Sequence, residues 1–107
     1  MSQTLQSVIV LVARQDVMIS DHGYDELAED GILIIDILIG IADAVVVEDY
    51  PAYHKGPCVL VLQKDHEGNP PHVVWGIPKN ASAPAVMVTA YRPDAGQWTE
   101  DFMRRKP

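Results

Sequence analysis

Four residue types that can do chemistry sit close together near the end of the chain: His72 opens one β-branched run, Thr89 and Tyr91 close the next, and Arg92 follows. An imidazole can give or take a proton near neutral pH, a hydroxyl and a phenol can position or donate, and a guanidinium holds anions. Buried strands usually end in turn residues, so this ending marks a surface built to meet something. Two further candidates lie upstream. His22 stands at the start of an acidic helical segment, where free N–H groups favour a neutral imidazole and an anionic ligand, although a cap or a packing role is equally consistent with that position. In YPAYHKG, Tyr50, Tyr53, His54 and Lys55 gather aromatic, titratable and cationic groups in one loop, which ordinary anchoring tyrosines also explain.

These groups need a scaffold, and the apolar pattern describes one. Leu5, Val8, Ile9 and Val12 recur at helical spacing, predicting a helix over 3–14. VMIS reads as a short extended link. Ser20 or Asp21 caps a second helix that runs to Asp30 and ends at Gly31, and Ile32 to Ile39 is apolar nearly all round, hence a buried helix. After Gly40 the period changes: AVVVEDY, PCVLVLQ, HVVWGIP and PAVMVTAY are strand-like runs separated by Pro, Gly, Asn and Asp. A short helix from Gly96 or Gln97 through Arg104 is expected to dock Trp98 and Phe102. The expected fold is α+β over a single domain, 1–107: N-terminal helices on one face of a four-stranded antiparallel sheet, with a short C-terminal helix.

Register decides which groups meet. Val86, Val88 and Ala90 make the better core face of the last strand, leaving Thr89 and Tyr91 on the other. Symmetric pairing sets Trp75 opposite Met87 and Val73 opposite Thr89, with His72 on the valine face; a slip of one residue brings His72 beside Tyr91. Both registers remain open at this level.

Composition narrows the chemistry. The formal net charge of −7 over 107 residues argues against sequence-independent binding to nucleic acid, DNA included. Acids crowd 21–49 while Lys55, Lys64, Lys79, Arg92, Arg104, Arg105 and Lys106 lie in the second half, so a local basic patch and an acidic partner face are both open. The four histidines lack the short spacings of a zinc site, and no phosphate-cradling glycine loop or nucleophile elbow occurs, so neither metal nor cofactor is expected. The single cysteine, Cys58, reads as a small core hydrophobe suited to a reducing cytoplasm. GILIIDILIGIADAVVV is too short and too interrupted by Asp36 and Asp43 to span a membrane, and no secretory leader is expected at Met1 to Gln6.

ISDHGYDELAEDGI, the YP at Tyr50 and Pro51, PHVVWGIPK, VTAYRPDAGQW and the terminal DFMRRK together resemble domain-of-unknown-function family 4258, VTAYRPDAGQW being the most specific block. The resemblance implies a small bacterial protein similar to RelE-like and barnase-like ribonuclease toxins, with an antitoxin protein as partner. It implies a metal-independent endoribonuclease in which the substrate 2′-OH attacks the adjacent phosphate. His22 or His72 would act as base or acid, Lys55 and Arg92 would stabilise the phosphate, and Tyr91 with Thr89 would position or donate a proton. Many relatives carry arginines four and eight residues after the helix histidine, where this chain has Glu26 and Asp30, two anions. A second class of function follows from that exchange and the acidic total: a non-catalytic protein-binding or dimerising module.

Overall fold

A computed structural model describes residues 2–107. Helix α1 (Gln3–Ala13) starts where the Ser2 hydroxyl accepts from Leu5 N, and its Leu5, Val8 and Leu11 form one buried stripe. Strand β1 (Val17–Ile19) leads into α2 (Asp21–Asp30), capped by Ser20 Oγ accepting from Gly23 N at 2.9 Å. Gly31, at φ 63°, ends α2 in the left-handed conformation that glycine adopts without steric cost. Helix α3 (Ile34–Gly40) and a single 3-10 turn (Ile41–Asp43) follow; the expectation of a helix buried all round is corrected, since Ile37 is buried but Ile35 and Ile39 are 57% and 69% exposed. Then come β2 (Val45–Tyr50), β3 (Cys58–Leu62), β4 (His72–Gly76) and β5 (Ala85–Tyr91).

The expected four-stranded antiparallel sheet is corrected to five strands in a mixed sheet, ordered β1-β5-β4-β3-β2. The link VMIS supplies the extra strand, with Val17, Met18 and Ile19 lying parallel to Ala85, Val86 and Met87. A run of three residues carries too little alternation to be read as a strand; the exposed edge of β5 is what orders it.

The expected C-terminal helix is also corrected. Residues 94–105 form turns, and a lone bridge pairs Trp98 with Arg105. Side chains there compete for the backbone groups a helix would need: Asp94 Oδ1 accepts from Gly96 N, Asp101 Oδ1 from Met103 N, and Thr99 Oγ1 from Arg104 N. Trp98 still docks and is 3% exposed.

One face of the sheet carries the core. Val59, Val61, Val73, Trp75, Ala85, Met87 and Ala90 meet Leu5, Val8, Leu11, Leu27, Ile37 and Ile41 from the helices. At Gly23 α2 comes so close to β5 that a Cβ would stand 3.0 Å from Met87 O.

A bulge decides the β4–β5 register. Trp75 pairs with Met87, but the next pairs are Val74 with Thr89, Val73 with Ala90 and His72 with Tyr91, leaving Val88 as the extra residue. The expected valine core face is therefore corrected: Met87 and Ala90 are buried, while Val88 turns outward at 38% exposure.

Candidate functional site

The outer sheet face divides into two regions. In the first, His72, fully buried, receives the Tyr91 hydroxyl at its Nδ1 (3.2 Å) and donates from Nε2 to Phe102 O at 2.8 Å. That bonding settles the ring as the Nε2–H tautomer. Trp98 meets the ring edge-on, with centroids 4.4 Å apart. Arg105 lies over Trp98 at 4.7 Å and grips Glu48 with two nitrogens, at 3.0 and 3.1 Å. Residues 94–105 thus form a strap laid over the strand ends, and His72 is the group it fastens to.

Electrostatics agree with a closed latch. Burial pushes the His72 pKa below its ordinary value, outweighing the Phe102 carbonyl, so the ring is neutral. Burial raises Tyr91, and the hydrogen bond from Arg105 holds the Glu48 carboxyl down.

The remaining sequence candidates are placed as follows. Thr89 shares the outer face with Tyr91 and is half-buried. Arg92 turns away: its backbone N–H and Nε bond the Asp30 carboxylate and carbonyl at 2.7 and 3.1 Å, and its Nη1 reaches Asp65 at 3.2 Å. Burial pushes Asp65 upward, but the N–H groups of Asn69 and Glu67 and the Arg92 guanidinium outweigh it and hold the carboxyl below its ordinary range. His22 is exposed on α2, its ring 3.5 Å from Glu26. Lys55 lies in the β2–β3 loop, where its carbonyl accepts from Lys79 N, at the Gly76 end of the sheet. Four ladder steps separate that end from His72, roughly 13 Å. His72 and Tyr91 are brought together; His22, Lys55 and the Arg92 guanidinium are not brought to them.

The second outer region is an open groove of about 510 Å³. One ladder row crosses all five strands as Met18, Val86, Gly76, Cys58 and Tyr50. The groove follows that row, with Gly76 and Cys58 on its floor, Val74, Val86 and Val88 on one side and Tyr50 and Tyr53 on the other. Lys55 stands at its lip. Gly56 fixes the lip: at φ 121° its missing Cβ lets Ile77 O and Lys79 N approach, the latter within 2.7 Å of where a Cβ would sit. Cys58, read as a core hydrophobe, is half-buried on this floor, and burial raises its thiol pKa, the opposite of an activated nucleophile.

Sequence reasoning missed Asp30, Asp65, Glu48 and Arg105 as the partners that occupy these groups. Asp30 did stand out as an acid where the resemblance implies arginine; nothing in the sequence paired Glu48 with Arg105. No cluster of three or more metal-ligating side chains occurs among the described residues. No helix among them is long and apolar enough to cross a membrane.

An α+β domain with helices on one sheet face and a strapped, partly open second face is the class these features define. The chain belongs to the family described as Domain of unknown function (DUF4258), whose model matches residues 19–92. That span runs from the end of β1 to Arg92 and includes His72, Tyr91 and the groove. No curated protein and no solved structure matches the chain.

Proposed function

We propose that the chain is a non-catalytic protein-binding module that works through the open half of its outer sheet face. The observation that carries this reading is the uncovered apolar row, with Met18 at 52% and Tyr50 at 45% exposure on a sheet whose other face is filled by helices. An RNA-cleaving site would need a base, an acid and cations around one phosphate. Here His72 is sealed by the strap, Arg92 is engaged by Asp30 and Asp65, and Lys55 is at the far end of the strands.

The toxin-type endoribonuclease is the second reading, favoured by one observation, the His72–Tyr91 pair at the strand end. It requires the strap to leave and Arg92 to be released. Two measurements on the full chain separate the readings. RNA cleavage by wild type, His22→Ala and Arg92→Ala is expected to stay at equal background; cleavage lost in either variant overturns the module. Proteins retained by the immobilised wild type are expected to be lost with Val86→Asp, and a module working through another surface would retain them.

A further inference from the structure

Resting on the module reading, we propose that the partner lays an amphipathic helix in the groove, with carboxylates on the flank that meets Lys55. Geometry selects the helix. On a sheet face, unlike a sheet edge, the backbone groups are already paired, so a partner docks only through side chains. From the Tyr50 wall on β2 to Val86 on β5 is three strand spacings, roughly 14 Å, which accepts a helix about 10–12 Å wide. The strap occupies the neighbouring half of the face, which confines the helix to the row through Gly76.

Charge selects the flank. The chain has 15 acidic residues, yet none lines this groove. Of the β2 carboxylates beside it, Glu48 takes the Tyr50 hydroxyl and is held by Arg105, while Asp49, which helps raise the Cys58 thiol, stands opposite the core-facing Val59 and so on the other side of the strand. Lys55 makes no ion pair among the described residues, and neither does the adjacent Lys79. The acids of α2 belong to the helix-covered side. At physiological ionic strength charges act over about 8 Å, so a docked segment responds to the lip rather than to the total.

The test uses two synthetic amphipathic peptides with the same leucine face, one flanked by glutamates and one by lysines, titrated into the 15N-labelled full chain. The net charge of −7 alone favours the lysine peptide, so preference for the glutamate peptide has to come from the lip. Expected are shifts at the amides of Val74, Gly76, Val86 and Val88, and about threefold tighter binding of the glutamate peptide, the scale of one rim ion pair. Lys55→Glu should reverse the order. Val88→Glu, a change at an exposed position, should remove both. Equal affinities, or preference for the lysine peptide at these amides, overturn the acidic flank and leave the module standing. No shift at these amides with either peptide overturns the docking surface and the module reading with it.

Discussion

If His72 is the fastening of the strap, His72→Ala should cost far more than any exposed contact the strap makes. Truncation orphans Phe102 O, which the ring now satisfies at 2.8 Å, and opens a void against Trp98, itself 3% exposed. An unsatisfied buried carbonyl costs about 1–3 kcal/mol, and truncating a buried ring adds about 2 kcal/mol of lost packing, for a total of about 3–5 kcal/mol. Domains of this size have about 5–15 kcal/mol in all, and each kcal/mol moves the midpoint by roughly 4–8 °C, so the melting temperature should fall by about 12–40 °C. Arg105→Ala is the internal comparison: its side chain is 63% exposed, and such a pair is worth under about 1 kcal/mol. Thermal melts give the global figure, and amide exchange at Thr99 and Lys106, whose N–H groups bond Arg104 O and Gln97 O, reads the strap directly. A drop below about 5 °C with unchanged exchange would refute the latch and return His72 to the list of free functional groups.

Ser20→Ala removes the cap on α2 and the hydrogen bond that Ser20 Oγ donates to Val88 O at 2.7 Å, so denaturant melts should register a loss of about 1–2 kcal/mol. Arg92→Ala should destabilise by about 1–2 kcal/mol in the same assay, because its side chain is 38% exposed and its bonds to Asp30 and Asp65 are partly solvated. Acid should loosen the strap. The folded pKa of His72 lies below the ordinary 6.5, so its contribution is complete above that value and is lost as pH falls toward the folded pKa; the protection factor at Lys106, taken against its intrinsic exchange at each pH, should fall below pH 6.5 in wild type and lose that dependence in His72→Ala. His66 acts in the opposite sense: the hydrogen bond to Asp36 raises its pKa, so its small, exposed contribution is lost as pH rises through that raised value. Deleting Val88 should leave every β4–β5 pair in place, seen as unchanged Val74–Thr89 and His72–Tyr91 cross-strand NOEs, while abolishing the peptide binding tested above.

Local signals carried the parts of the fold that local chemistry determines. Ser20 at a cap and Gly31 in the left-handed region are each decided by neighbours within a few residues, whereas how much of α3 is covered is not: its Ile37 is buried but Ile35 and Ile39 face outward. The fifth strand was hidden because Val17–Ile19 owes its order to β5, far away in sequence. The C-terminal turns were hidden because Trp98 and Phe102 keep helical spacing whether or not the backbone is helical; Asp94, Thr99 and Asp101 were the contrary signal, each able to bond a backbone N–H a few residues on.

The site was legible in its residue types and illegible in its pairing, and one residue explains why. Strict alternation from Met87 sends Thr89 and Tyr91 inward with it and Val88 and Ala90 outward. Val88 as a bulge absorbs one step, so Met87 and Ala90 both face the core while Thr89 and Tyr91 share the outer face with His72. The same step turns Val88 out to wall the groove, and its freed carbonyl is taken by Ser20. The His72 latch and the open groove are therefore two consequences of one irregularity, held in place by the residue that also starts α2. Because the extra residue has to be fixed by a contact from position 20 to position 88, the alternation of β5 alone could not disclose which of its faces was core.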